Sequence, residues 1–138
     1  MTLVEELLKA DIKKVDELKT GTFKSERLAE ILGKSEPVEV QIREIKSRRM
    51  NDIISYQVDS KGNYNFAKSF DAKLIACVEG ITNPDMKNKE LQAYFKVENG
   101  RELAEKLFGS EVTAISDAIS ELSGIKAEND DKEKEIKN

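Results

Sequence analysis

The chain of 138 residues has no histidine, no tryptophan and one cysteine, Cys77. Without histidine it lacks the side chain that most often serves as a general base and as a zinc ligand. A single cysteine forms neither an internal disulfide nor a cysteine cluster for zinc or iron–sulfur. No apolar run approaches the ~20 residues of a membrane-spanning helix, and no secretory leader opens the sequence. These absences predict a cytoplasmic protein that has no membrane partner.

Charge, in contrast, is abundant and nearly balanced. Charged residues make up 36% of the chain, and 23 basic residues stand against 27 acidic ones for a net charge of -4. A mildly acidic chain is a poor general ligand for a polyanion, so no nucleic-acid partner is expected. Glycine-rich phosphate loops, nucleophile elbows and calcium loops are all absent from the sequence. We therefore expect no catalytic residues, no cofactor and no metal site, and hence a protein that is not an enzyme.

Hydrophobic periodicity predicts a mainly helical α+β domain with a small β-sheet. Alternating apolar residues indicate one strand over Val38–Ile45. Elsewhere apolar residues recur at spacings of three and four, which predicts about five to seven helices. Capping boxes that open at Thr2 and Asn99 mark two of the helix starts. We assign this single domain to residues 1–125.

The most apolar segment is predicted to be the central helix of the core. Its stripe consists of Phe66, Phe70, Leu74, Cys77, Val78 and Ile81. With no histidine to activate it, the thiol of Cys77 is expected to be a small buried hydrophobe rather than a nucleophile. Side chains of Asn65 and Ser47 are expected to cap this helix and the preceding one.

The last 13 residues, 126–138, differ in composition from the rest of the chain. They contain 4 lysines and 5 acids, and Ile136 is their one large apolar side chain. Such a segment buries too little apolar surface to offset the entropy of ordering it. The sequence therefore predicts a disordered charged C-terminal tail.

Two surface features are candidates for binding. The residues Arg43, Lys46, Arg48 and Arg49 form a basic cluster. It is either a phosphate-contacting patch or, more commonly for such a cluster, a solvated surface. The second feature is the stripe of Leu3, Leu7 and Leu8 on the first helix. That helix either docks on its own domain, the more common arrangement, or offers its apolar face to a partner.

The order of several segments resembles one protein family. These segments are Leu7–Asp11, Arg27–Lys34, the strand Val38–Ile45, Val78–Ile81, Asn83–Leu91, Gly100–Leu107 and Glu121–Gly124. Their order and spacing, over about residues 3–125, are similar to those of the XkdN-like phage tail assembly chaperones. The tail resembles nothing in that family.

The resemblance implies a non-enzymatic protein of a siphophage, a contractile-tail phage or a prophage of Gram-positive bacteria. Its expected partners are the tape measure protein, which it keeps soluble, and the tail tube protein; self-association is left open. It would act in the host bacterial cytoplasm and be absent from the mature virion. Leu3, Leu7 and Leu8 are the predicted partner contacts. The alternatives are a small phage DNA-binding or regulatory protein that uses the basic cluster, and a permanent tail or connector protein.

Overall fold

The computed structural model of the protein describes residues 1–125, so the predicted tail lies outside the described residues. The elements follow one another in the order α1 (Leu3–Leu8), α2 (Ile12–Asp16), β1 (Thr20–Ser25), α3 (Glu26–Leu32), β2 (Val38–Arg43), α4 (Ser47–Ser55), α5 (Ala67–Gly80), β3 (Ile81–Asn83), α6 (Lys89–Tyr94), α7 (Gly100–Phe108), a short 3-10 helix (Gly109–Glu111) and α8 (Val112–Leu122). The predicted class, mainly helical with a small sheet, is confirmed.

Local capping determines where several of these helices begin and end. The hydroxyl of Thr2 accepts a hydrogen bond from the Glu5 backbone N–H at 3.2 Å, so the first predicted cap is confirmed. The side chain of Asn99 accepts one from the Glu102 N–H at 2.9 Å, which confirms the second. Gly33 ends α3 in the left-handed conformation, with φ of 69°, which glycine adopts without a steric penalty.

Two other predicted caps differ from the observed ones. The Ser47 prediction is wrong, because Lys46 occupies the N-cap position of α4 and its side chain makes no capping hydrogen bond. Asn65 does accept a hydrogen bond from the Ala67 N–H at 3.0 Å. The residue at the N-cap position of α5, however, is Phe66.

The sheet is antiparallel, with strand order β1-β2-β3, so the predicted strand is its central member. β2 ends at Arg43, two residues before the predicted end at Ile45. Neither neighbouring strand was predicted from the sequence. Gly21 of β1 lies where the sheet meets α8: a Cβ at this position would be 3.3 Å from Leu122 Cδ1. A glycine inside a strand often marks such a close approach.

The core is built around α5, as predicted, and this helix packs against α4, α7, α8 and β3. Cys77 of α5 is fully buried, as expected. The other side chains that are 0% exposed and apolar are Val40, Met86, Leu103, Ala104, Phe108, Val112, Ile115 and Ile119. Ile81 is also buried, but as the first residue of β3 rather than as part of the helix.

The first two residues of the predicted core stripe are not in the core. Phe66 is 83% exposed and Phe70 is 39% exposed. The buried residues of α5 are mostly small and include Ala72, Ala76 and Gly80. The first buried residue of α5 is Ala72, so the packed part of the helix begins only after Phe70. The prediction of Phe66 and Phe70 as core residues is wrong for this reason.

A reciprocal contact fixes α3 against the end of α7. Glu111 Oε1 accepts a hydrogen bond from the hydroxyl of Ser25 at 2.6 Å, and its Oε2 accepts one from the Glu26 N–H at 3.0 Å. In return, the guanidinium of Arg27 donates to the carbonyls of Leu107 and Lys106 at 3.0 and 2.9 Å. Each charge lies at the helix end whose partial charge is opposite to its own.

Candidate partner-binding surface

The first 17 residues form a segment that lies outside the core, here called the N-terminal arm. Every residue of this arm is exposed, and Leu18 is the first that is partly buried. The arm comprises α1 and α2, neither of which has a buried residue. The expectation that the first helix docks on its own domain is therefore wrong.

The arm carries an unusual amount of exposed apolar surface. Seven of its large apolar residues are between 64% and 82% exposed: Met1, Leu3, Val4, Leu7, Leu8, Ile12 and Val15. In α1 the spacing of four pairs Leu3 with Leu7 and Val4 with Leu8 along one side of the helix. The predicted contacts Leu3, Leu7 and Leu8 are thus brought together, at 69%, 64% and 81% exposure.

The arm is attached to the domain at the start of β1. The Lys19 N–H donates to Glu44 Oε1 at 2.7 Å, and the Glu44 N–H donates to the Lys19 carbonyl at 2.8 Å. This pair extends the β1–β2 ladder by one step. These hydrogen bonds therefore fix the C-terminal end of the arm to the sheet.

A second apolar surface, here called the aromatic patch, lies between α4 and α5. Its members are Tyr56, Val58, Tyr64, Phe66 and Phe70, which are 39% to 83% exposed. Val58 and Tyr64 form an isolated antiparallel bridge, and the Tyr64 and Phe66 rings meet edge to face with centroids 6.3 Å apart. Phe70 lies one helical turn after Phe66, on the same side of α5.

Asp59 holds the turn that presents this patch. Its Oδ1 accepts hydrogen bonds from the backbone N–H groups of Lys61 and Asn63, both at 2.9 Å. The hydrogen bond from the Asn63 backbone is the main reason that the pKa of Asp59 lies below its usual value of 3.8. A carboxylate with a lowered pKa is ionised at neutral pH, so the turn is maintained there.

Sequence reasoning missed the patch because Phe66 and Phe70 fit a helical core stripe. The signal available in the sequence was the glycine at position 62, which the structure places in a turn with a φ of 83°. Val58 and Tyr64 flank that turn as residues of high strand propensity. A hairpin-like excursion between two helices exposes the aromatic residues that it carries.

The side chains of the basic cluster form two pairs: one pair contacts Glu79 and the other pair is exposed to solvent. The guanidinium of Arg43 donates to the Glu79 carbonyl at 3.2 Å, and Arg49 Nε donates to Glu79 Oε1 at 2.6 Å. The hydrogen bond with Glu79 raises the pKa of Arg49. The other two members of the cluster, Lys46 and Arg48, are exposed to solvent. This arrangement is that of a solvated surface more than of a phosphate site.

Cys77 is chemically inert in this fold. Its Sγ lies 3.7 Å from the Val112 carbonyl, inside the core. Burial raises the pKa of the thiol from 9.0 to about 12. Nearly all of it is therefore protonated at neutral pH, and the thiolate is the nucleophilic form.

No three Asp, Glu or Cys side chains among residues 1–125 gather into a group that could hold a metal ion. Within the same range, every helix is too short or too polar to span a lipid bilayer. The arm and the aromatic patch contain most of the large exposed apolar side chains of the described residues.

Comparison with solved structures identifies a protein with a similar fold. The crystal structure of the protein YqbN superposes with a TM-score of 0.55 at 16% sequence identity. The match covers 80% of this chain and 90% of the other. No curated protein matches the chain.

A sequence model of one family matches residues 4–137. The family is described as phage XkdN-like tail assembly chaperone protein. The matched range continues past residue 125, where the resemblance seen in the sequence stopped, and includes most of the charged tail. Because the match spans nearly the entire chain, this protein belongs to the XkdN-like phage tail assembly chaperone family.

Proposed function

We propose that this chaperone binds the tape measure protein of its phage and keeps it soluble while the tail tube assembles around it. The contacts would be made by Leu3, Leu7 and Leu8 of the N-terminal arm. Family membership supplies the role in tail assembly. The exposed apolar stripe of α1 is the observation that supports this mode of binding.

The physical argument concerns apolar surface that has no partner. A tape measure protein is a long helical chain whose apolar seams are uncovered until tube subunits surround it. An amphipathic helix covers such a seam by placing its leucines against it. Each leucine that becomes fully covered contributes about 1.5–3 kcal/mol. Three leucines on one short helix therefore supply enough binding free energy to hold the tape measure protein reversibly.

The proposed chaperone is not an enzyme, acts in the host bacterial cytoplasm and is released before the virion is complete. The tail tube protein is the partner that would displace it as the tube grows. Quantitative mass spectrometry of purified particles tests this release. The expected result is abundant tube protein without this chain. A fixed copy number of this chain per particle would instead indicate a permanent tail component.

Co-expression with a tape measure fragment tests the contacts. Replacing Leu7 and Leu8 together by alanine should lower the soluble fraction of the fragment. The matched control is the double change Ile31→Ala and Leu32→Ala in α3, whose side chains are 45% and 57% exposed. This control removes two exposed aliphatic side chains outside the arm and should leave solubilisation unchanged.

Circular dichroism of the isolated variant separates lost binding from lost folding. Leu7 and Leu8 are 64% and 81% exposed, so their truncation should leave the Tm nearly unchanged. Fully buried leucines would cost ~2–5 kcal/mol each and would unfold the domain. A folded Leu7→Ala, Leu8→Ala variant that solubilises the fragment as well as the unmodified chain would refute the contact.

A further inference from the structure

We propose that the free edge of β1 binds an extended acidic segment of a partner protein, which adds to the sheet as a further strand next to α8. Main-chain hydrogen bonds give such strand addition its affinity, and pockets for alternate side chains give it specificity. The residues that carry the proposal lie on β1, β2 and α8 and at Lys19. None of them belongs to α1, so the proposal does not rest on the contacts of the N-terminal arm.

The backbone of β1 has hydrogen-bonding groups that β2 does not use. The Glu44 N–H bonds to the Lys19 carbonyl, and the register then continues residue by residue along the whole of β1. Because hydrogen-bonded pairs alternate in an antiparallel ladder, Thr20, Thr22 and Lys24 direct their N–H and C=O groups away from β2. Within residues 1–125, no backbone group outside the ladder bonds to these three residues. They form the row to which an added strand would bond.

A groove beside this row, here called the edge groove, can receive a side chain of the added strand. The edge groove has a volume of about 310 Å³ and is lined by Lys19, Gly21, Thr22, Ile42, Ala118, Glu121 and Leu122. Gly21 on β1 and Ala118 on α8 keep it open, because their side chains are absent or small.

The walls of the edge groove favour an apolar side chain. Opposite residues of neighbouring strands point to the same face of a sheet, so the residue opposite Gly21 would direct its side chain toward α8. There it would meet Ile42, which is 3% exposed, and Leu122, which is partly buried. Glu121 at the rim disfavours an acid at this position, because two carboxylates would repel each other.

The other face of the edge favours an acidic strand. Residues 19–25 contain two lysines, Lys19 and Lys24, and no acid. Lys24 is exposed and directs its backbone toward the added strand, so an acid opposite it would form a cross-strand charge pair. Glu39 of β2 lies opposite Lys24 on the other side, and the added acid would complete a row of acid, lysine and acid. The occupant is therefore a segment in which apolar residues that face α8 alternate with acids that face solvent.

A partner protein is a better occupant than a second copy or the charged tail. A second β1 would bring the same two lysines and no acid. Residues 126–138 contain 4 lysines beside 5 acids and have Ile136 as their one large apolar side chain, so they lack the required alternation. The other outer strand of the sheet, β3, has three residues and offers a shorter template than the six of β1.

Fluorescence anisotropy with a labelled synthetic peptide tests the proposal on the full chain. The probe is a peptide of about eight residues in which valine and glutamate alternate. In antiparallel addition the glutamate N–H groups bond to β1 and the valine N–H groups point away from it. N-methylation of the glutamates should therefore raise the Kd about tenfold or more, whereas N-methylation of the valines should leave it unchanged.

Two results with these peptides would overturn the proposal. The first is no binding of the unmodified peptide at concentrations up to about 1 mM. The second is a Kd that responds equally to the two methylations, or to that of the valines alone, because neither pattern arises from antiparallel addition to β1.

A proline at position 22 tests the edge from the side of the protein. Thr22→Pro removes an N–H that points away from β2, and proline is tolerated at such edge positions. It should raise the Kd of the valine–glutamate peptide about tenfold. Thr22→Val is the matched control, because it keeps the N–H, and it should leave the Kd unchanged. Circular dichroism and the Tm of each variant confirm that it is folded.

Filling the edge groove from α8 tests the same site without altering β1. Ala118→Leu should raise the Kd about tenfold, because the added side chain occupies the space of the ligand's valine. Ala93→Leu, at an exposed position of α6, is the matched control and should leave the Kd unchanged. A folded Thr22→Pro or Ala118→Leu variant with an unchanged Kd would refute the site.

Charge exchange tests the acidic preference. The chain should bind the valine–glutamate peptide about threefold more tightly than a valine–lysine peptide, and Lys24→Glu should remove this preference. A preference that persists in Lys24→Glu would contradict the charge pairing.

Two measurements separate the partner protein from the other occupants. Deleting residues 126–138 should leave the peptide Kd unchanged, and about tenfold tighter binding would instead mean that the tail occupies the edge. Thr22→Pro should leave the oligomeric state unchanged in sedimentation equilibrium, and a change would mean that a second copy occupies the edge. These assays contain no tape measure fragment, so their failure leaves the proposed function intact, and a failed co-expression assay leaves this proposal intact.

Discussion

Replacing Gly80 by alanine should destabilise the protein, although alanine is the better helix former. Gly80 is the last residue of α5 and lies against α8. A Cβ at this position would be 2.5 Å from Ile119 Cδ1 and 2.8 Å from both Ile119 Cγ1 and Cγ2. Rotation about the Cβ–Cγ1 bond of Ile119 moves only Cδ1. Relief of the Cγ2 contact requires either a rotation about the Cα–Cβ bond of this fully buried side chain or a shift of α5 or α8.

The expected magnitude follows from two opposing effects. Overpacking of a core typically costs ~1–3 kcal/mol. Higher helix propensity returns up to ~1 kcal/mol in a helix interior and less at a helix end. The net loss for Gly80→Ala should be about 1–2 kcal/mol, which corresponds to a Tm lower by roughly 3–10 °C for a domain of this size.

A double-mutant cycle with Ile119→Ala provides the decisive control. Ile119 is 0% exposed, so its truncation alone should cost ~2–5 kcal/mol. The new methyl group at position 80 would then occupy part of the vacated space. The two changes together should cost ~0.5–3 kcal/mol less than their sum, as measured by urea denaturation. Additive losses, or a Gly80→Ala variant as stable as the unmodified protein, would refute the packing argument.

Three further predictions concern stability. Glu111→Ala removes the acceptor for the Ser25 hydroxyl and the Glu26 N–H and should cost ~1–2 kcal/mol in urea denaturation, whereas Glu111→Gln should cost less. Cys77→Ser should cost ~1–3 kcal/mol and Cys77→Ala less. Because burial raises the Cys77 pKa from 9.0 to about 12, stability should fall between these pH values more steeply in the unmodified protein than in Cys77→Ala. Deleting residues 126–138 should change the Tm by no more than ~2 °C; a larger fall would mean that this segment docks.

The parts of the fold that follow from short-range patterns were predictable from the sequence. Thr2 and Asn99 cap helices as their motifs indicate, because a cap depends on a few neighbouring residues. The strand β2 was recognisable from its period of two. Its partners were not, because β3 has three residues and β1 contains Gly21, whose presence is explained only by Leu122 from a distant helix.

The binding surfaces show a different limit of sequence reasoning. A hydrophobic stripe indicates which residues share a face of a helix, but the packing of other elements decides how much of that face is covered. In α5, Ala72, Ala76 and Gly80 are buried because α7 and α8 approach closely there. Phe66 precedes this packed region and stays in solvent.

The leucines of α1 show the opposite case, in which a stripe that resembles that of a core helix remains uncovered. Their stripe is as regular as that of a core helix, yet no element of the described domain packs over it. Large apolar side chains that remain exposed in this way usually mark an interaction surface. A chaperone for an aggregation-prone chain requires such a surface, and its high content of charged residues would keep it soluble while that surface is uncovered. The proposed client binding therefore depends on this exposed stripe.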